Sequence, residues 1–373
     1  MINSGYPAQQ PGRGGRPAWD HPGVIMREPA RRVTARDVAA DVGCSVSSVS
    51  LVVSGKADGR VRQETQDAIH EAIARLGYRL NTTASALASG TSLGVGFLSP
   101  DPTNPFFSMV LDGLGDALAD HFALSVLVPT GGADYDRGTV RRALAGDFAG
   151  LVLASPSERL LDDFVPTCPT ILLDAGGPVN DLASIDVDLG QALSELAAHL
   201  TGLGHRRIAY LGFRREKASV QGRRHQLASA LQQRGAVLDP TTVEITELTE
   251  SAAQAAFTDT WPVWRANGVS AIVCGDELFA YGVLRSCRAQ GIRVPGELSL
   301  VGFDNLPYSS LIDPPLTSVD LSARLLGRTA GEALLDLVGT GRPSASRRVP
   351  ATLVVRGSTA APATPQAPQV VAR

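Results

Sequence analysis

The chain has 373 residues, 44% apolar and 19% charged, with a net charge of −3. It is too long for one ordinary core and reads as a small domain followed by a larger one. The acidic balance excludes a nonspecific nucleic-acid coat, no apolar run approaches the ~20 residues of a membrane helix, and the N-terminus lacks the apolar stretch of a signal peptide, so a cytoplasmic address is expected.

The charge is unevenly spread. Residues 1–90 hold 11 Lys and Arg against 8 Asp and Glu, while the remainder holds 23 against 29. The basic excess is small but lies on the segment whose pattern points to DNA. Cys44, Cys168, Cys274 and Cys287 are scattered without a C-x-x-C pair, so neither structural zinc nor a disulfide framework is expected. No cofactor is implied.

Residues 1–32 are rich in Gly, Pro, Gln and Arg and show no apolar periodicity, which predicts a disordered arm. Arg27, Arg31 and Arg32 leave a DNA-grasping role open beside that of an inert tail. Three short helices follow. TARDVAADVG has Thr34 as N-cap and turns Val38, Ala39 and Val42 inward. After Gly43 a second helix opens at Ser45 and runs to a C-cap at Gly55. The third, ETQDAIHEAIARLGY, aligns Ala68, Ile69, Ala72, Ile73 and Leu76 on one stripe. Two brief helices joined by a glycine turn and buttressed by a third form a helix-turn-helix. On the second helix Val49, Val52 and Val53 pack inward, which leaves Val46, Ser47, Ser50, Leu51 and Ser54 on the opposite face. Serine hydroxyls can pair with several bases and apolar side chains can touch a thymine methyl, although many helix pairs share such a face.

From Leu93 onward strands alternate with amphipathic helices. GVGFL (94–98), LSVLV (124–128), GLVLA (150–154), TILLD (170–174), IAYLGF (208–213), AIVCG (271–275) and SLVGFD (299–304) read as buried parallel strands. One helix carries Phe107, Val110, Leu111, Leu114 and Leu118, and another Leu193, Leu196, Leu200 and Leu203. Alternation over about 260 residues implies a doubly wound α/β architecture large enough for two lobes. The end of the chain after Thr359 reads as a loose tail.

VTARDVAADVGCSVSSVSLVVSGK and VRQETQDAIHEAIARLGYRLN closely resemble the DNA-binding headpiece of the lactose-repressor (LacI/GalR) family. Thr34, Asp37, Val38, Ala39, Gly43, Ser45, Val49, Ser50, Val52, Gly55, Thr65, Leu76, Gly77, Tyr78 and Asn81 match its pattern in order. Leu51 stands where that pattern has arginine, Ser54 where it has asparagine and Leu80 where it has proline. The resemblance implies DNA contacts from Thr34, Arg36, Ser45, Val46, Ser47, Ser50, Leu51 and Ser54. Arg60 and Arg62, with Lys56, would meet phosphates or form a solvated charge cluster. NTTASALASG (81–90) resembles the family's hinge helix, so Asn81, Ala84 and Leu87 are expected at the DNA, with Leu87 as a minor-groove wedge that bends the duplex.

The resemblance continues to Thr359 through DPTNPFF, LGHRRIAYLG, VPGELSLVGFDN, DPPLTSV and LVVRGST. The fold it implies is an all-α helix-turn-helix headpiece plus a two-lobed α/β domain of the periplasmic-binding-protein type, with the effector cleft at the carboxyl ends of the strands. The expected boundaries are 1–32 arm, 33–80 headpiece, 81–91 hinge, 92–359 effector-binding and dimerisation domain, and 360–373 tail. In the cleft Phe106 and Phe107 would form a stacking wall, Arg223 would grip ligand oxygens and Asp304 would accept hydroxyl hydrogens. CGDELFAYG places Asp276 at a position where the family has Asn and Glu277 where it has Asp, an acidic pair that suits a polyhydroxylated ligand.

An enzyme is disfavoured, since no H-E-x-x-H, G-x-x-x-x-G-K-[ST] or G-x-G-x-x-G pattern appears. The resemblance implies a homodimeric transcription regulator, usually a repressor, that binds near-palindromic operator DNA and a sugar-like effector. A ligand-dependent activator is the alternative; a solute-binding protein would leave the headpiece unexplained.

Overall fold

The structure, a computed structural model, describes residues 33–53, 57–76, 94–128, 148–162, 164–214, 218–342 and 345–363. The arm, Ser54, and the hinge with Asn81, Ala84 and Leu87 lie outside the described residues. The chain divides into two compact units, Met1–Ser85 and Ala86–Arg373.

In the first unit α1 spans Ala35–Val42, α2 Val46–Val53 and α3 Gln63–Leu76. Local chemistry sets these bounds. Thr34 and Asp37 form a reciprocal capping box at the start of α1. Gly43 closes it at φ 72°, a left-handed conformation that favours glycine. Ser45 Oγ accepts the Ser48 N–H at 3.0 Å, the pattern of an N-cap for α2. Val38, Ala39, Val49, Val52, Ile69 and Ala72 close the core, and Arg75 pairs with Asp41 to tie α3 to α1.

The second unit holds two parallel-sheet lobes. In chain order its elements are β1 (Gly94–Leu98), α4 (Pro105–Leu118), β2 (Ala123–Leu127), β3 (Gly150–Ala154), α5 (Glu158–Asp162), β4 (Thr170–Leu173), β5 (Ser184–Asp188) and α6 (Gly190–Gly202). There follow β6 (Arg207–Phe213), α7 (Ala218–Gln232), β7 (Val237–Leu238), β8 (Val243–Ile245), α8 (Glu250–Ala266), β9 (Ala271–Cys274) and α9 (Glu277–Gln290). The last are β10 (Ser299–Phe303), a 3-10 turn (Pro307–Ser310), β11 (Thr317–Asp320), α10 (Ala323–Thr340), β12 (Arg347–Pro350) and β13 (Thr352–Val354).

The first lobe's sheet runs β12-β5-β4-β3-β1-β2 and the second's β13-β11-β10-β9-β6-β7, with β8 also paired to β6. All pairings are parallel except β11 with β13. The chain passes between lobes after β5, β11 and β12. These passages are tied together: Ala351 N–H donates to the Asp188 carbonyl at 3.0 Å and Ser322 Oγ to the Pro350 carbonyl at 2.8 Å. In the first lobe α4 and α10 cross closely, since a Cβ on Gly113 or Gly327 would run into the facing helix's backbone.

The seven expected strands are present, with two corrections. LSVLV belongs to β2, whose residues are exposed or half-buried rather than buried, because β2 ends the sheet among the described residues. The residues after Thr359 are not loose from the start. Ala360 accepts from His205 Nε2 at 2.9 Å and from Ser299 Oγ at 3.0 Å, which pins this stretch to the second lobe. The additional strands β5, β7, β8, β11, β12 and β13 are short or mixed in polarity and carry no continuous apolar run.

Candidate functional site

Helix α2 sorts its side chains as its periodicity predicts. Val49 and Val52 are buried, Val46, Ser47 and Ser50 are exposed, and Leu51 and Val53 are half-buried. Arg36 on α1 and Arg60 and Arg62 ahead of α3 lie at the surface as well. Thr34 and Ser45 are exposed but have structural work, since each hydroxyl is engaged at its helix start. This unit therefore presents small hydroxyls and an apolar side chain on one helix face, with guanidinium groups on its surface.

The second site is a cleft within the two-lobed unit, enclosing about 630 Å³ of space that is partly open to solvent. Its walls come from the carboxyl ends of strands in both sheets, where parallel α/β sheets place ligands. From the first lobe come Pro100 and Asp101 after β1, Asn104, Phe106 and Phe107 at the start of α4, Ser155 after β3 and Asp174 after β4. From the second come Phe213, Arg223, Leu248, Gly275, Asp276 and Asp304.

Several of these residues have forced backbones. Ser155, Asp174 and Asp304 take φ of 45°, 52° and 96°. Such left-handed residues cluster at sites where a strand end must aim a side chain. Asn104 caps α4 by accepting the Phe106 N–H at 2.9 Å, and its amide donates to Asp276 Oδ2 of the other lobe at 3.3 Å. Phe106 and Phe107 are both largely buried and meet edge-to-face, with centroids 5.3 Å apart, an arrangement that aromatic quadrupoles favour. Both line the cleft and also belong to the lobe core.

Arg223 sits at the electrostatic centre. Its Nη2 lies 3.9 Å from Asp174 Oδ2 across the cleft, and its Nη1 donates to the Gly275 carbonyl at 3.3 Å. The guanidinium carbon lies 5.6 Å from the Phe303 ring centroid, within reach of a cation–π attraction. Burial pulls the guanidinium pKa down, but the charges of Asp174 and Asp304 outweigh it and hold it above its ordinary value. Asp276 caps α9 through the Leu278 N–H at 2.8 Å. Burial pushes its carboxyl up to about 6 against the opposing pull of that bond and of Arg223. Asp304 is raised well above the carboxylate range, first by burial and then by the charge of Asp276. Its Oδ2 is buried with no hydrogen-bond partner among the described residues.

Phe106, Phe107, Arg223, Asp276 and Asp304, singled out from sequence, line one cleft. Glu277 does not. Although adjacent to Asp276, it is fully buried behind the wall and accepts the Leu306 N–H through Oε2, with its Cγ packed towards Gly302. Asp276 is the extended N-cap residue and Glu277 the first residue of the helix, and their side chains leave the chain in different directions. Burial pushes Glu277 up to about 7. Sequence reasoning overlooks Asp174, Asn104 and Ser155. A strand-ending aspartate in TILLD, parallel to that in SLVGFD, is the available signal for Asp174.

Residues 34–81 match the family described as "Bacterial regulatory proteins, lacI family", and residues 197–359 match the periplasmic binding protein-like domain. The maltose regulon regulatory protein MalI of Escherichia coli K12 is 30% identical over 344 residues, covering 87% of this chain and 98% of that one. The HTH-type transcriptional repressor CytR of the same strain is 25% identical over 333 residues, covering 88% and 96%. Among solved structures, the complex of the transcriptional regulator CelR with cellobiose superposes with a TM-score of 0.64 at 26% identity, covering 88% of this chain and all of that one.

Proposed function

The chain belongs to the LacI family of bacterial regulatory proteins and is a DNA-binding transcription regulator, not an enzyme, and on that premise we propose that it represses its targets under the control of a small polyhydroxylated effector. The effector sits between the two lobes. The observation that carries this reading is Asp304: a carboxylate forced into the cleft by a left-handed backbone, buried, with one oxygen unpartnered among the described residues. Such an orphaned acceptor is costly unless a ligand hydroxyl or other donor completes it.

On the DNA, the exposed face of α2 with Val46, Ser47, Ser50 and Leu51 reads base edges, and Arg36, Arg60 and Arg62 contact phosphates. Thr34 and Ser45 lie at helix starts suited to backbone contacts. Ser54, Asn81, Ala84 and Leu87 join them by resemblance. A homodimer pairs two such headpieces on the half-sites of a near-palindrome. Effector binding that changes the lobe closure changes operator affinity, and linkage makes the coupling reciprocal. MalI, CytR and CelR are regulators by name, and the CelR complex holds a disaccharide; these support the same reading. No described helix is long and apolar enough to cross a membrane, and we place the protein with the DNA in the cytoplasm.

The test is selection of the full chain on randomised duplex DNA, followed by titration of the enriched site with and without sugars. A near-palindrome bound at ~10⁻⁸–10⁻¹¹ M, with affinity shifted by a sugar, is expected. Failure to enrich any sequence overturns the assignment of the reading face. An operator complex indifferent to every cleft ligand overturns the coupling.

A further inference from the structure

The described lining of the cleft carries Asp101, Asp174, Asp276 and Asp304 against one cation, Arg223. Two of the acids are already served. Asp101 accepts both the N–H and the hydroxyl of Thr103, at 2.8 and 2.6 Å. Asp174 faces Arg223 and accepts from Ser155 Oγ at 3.0 Å. Asp276 and Asp304 remain, both deeply buried and close enough that the charge of Asp276 raises the pKa of Asp304. Asp276 accepts from Leu278 and Asn104, neutral donors that bring no countercharge. Asp304 Oδ2 accepts from nothing described.

Resting on the cleft being the effector site, we propose that the effector carries a protonated amine, as an amino sugar or aminopolyol does, and that its ammonium docks on Asp276 and Asp304. A neutral polyol can donate to these oxygens but leaves two desolvated carboxylates to share Arg223 with Asp174. An ammonium supplies both the missing charge and up to three donors in a space walled by Phe106 and Phe107. A metal ion is a poorer occupant, since no group of three or more described His, Cys, Asp or Glu side chains is arranged to hold one. Asp304 faces Asp276, Glu277 and Asp174 as well as Arg223, and burial together with the charge of Asp276 raises its carboxyl well above the ordinary range, a cost that a docked ammonium relieves.

Calorimetric titration of the full chain at pH 7.5 with matched pairs tests this: glucose with glucosamine, galactose with galactosamine, mannose with mannosamine. In at least one pair the amino sugar is expected to bind tenfold or more tightly. Asp276→Asn preserves an N-cap and should bring that ratio to threefold or less, whatever change the parent sugar's own affinity undergoes. Parent sugars that bind as well as or better than their amino partners overturn the amine and leave the sugar cleft standing. So does a ratio that survives Asp276→Asn. Silence from all six sugars overturns both.

Discussion

Arg223 Nη2 and Asp174 Oδ2 face each other at 3.9 Å, one from each lobe of the second unit. A charge-assisted hydrogen bond is usually ~2.7–2.9 Å, so this pair is drawn together without being closed. Ligand oxygens can join it from the cleft without either partner losing its charge.

Arg223→Gln should therefore weaken effector binding by about thirtyfold or more, because truncating one member of a buried pair costs ~2–5 kcal/mol. Operator binding in the absence of effector should persist. Adding Asp174→Asn should cost far less than its effect alone, as coupled partners are non-additive. Calorimetry on the two single variants and the double variant checks this; additive losses would separate the residues.

Glu277 links pH to stability. Its folded carboxyl is raised to about 7 by burial, against ~4.3 in an unfolded chain. The folded state therefore keeps a proton that the unfolded state surrenders. This group's support is full below the unfolded value and is lost as pH climbs to about 7, by up to about 3–4 kcal/mol. Glu277→Gln, which can keep an oxygen on the Leu306 N–H, should flatten that part of the slope. Urea midpoints for both proteins at pH 5 and pH 8 measure it; equal slopes would refute the buried acid.

Gly327 on α10 packs where an added Cβ would meet the Val110 carbonyl of α4, a backbone atom that cannot swing aside. Gly327→Ala should cost ~1–3 kcal/mol or more through overpacking. Gly339 has open space around it, so Gly339→Ala should be neutral or slightly stabilising. Thermal unfolding of the two variants should differ sharply.

Ser50 is exposed in the middle of the α2 face. Ser50→Ala should leave stability within about 0.5 kcal/mol, yet lower affinity for the selected operator several-fold and relax preference at one base pair of each half-site. Leu51→Arg, which places a bidentate guanine reader on the same face, should shift the preferred sequence rather than abolish binding. Competitive binding against single-base operator variants reads both outcomes.

Much of the headpiece was legible because its signals are short-range. Thr34 capping onto Asp37, Gly43 turning left-handed and the 3.6-residue valine pattern of α2 all act within one or two helical turns. The lobes' central strands were legible for a related reason: strands buried on both faces read as unbroken apolar runs. The strand LSVLV looked the same in sequence, and only its place at the end of the described sheet explains its exposure.

The sequence alone, through its resemblance to the LacI family, pointed to the class of the protein, to the exposed face of α2 proposed to read DNA and to five of the cleft residues, including the aspartate that follows β10. Only the tertiary structure decided which of two adjacent carboxylates faces the cleft, sending Asp276 to its wall and Glu277 behind it. It also supplied the partner of Arg223, because Asp174 is 49 positions away on another lobe. The reason is physical. Caps and periodicities are settled by neighbours along the chain, whereas a buried charge is settled by whatever the fold brings opposite to it.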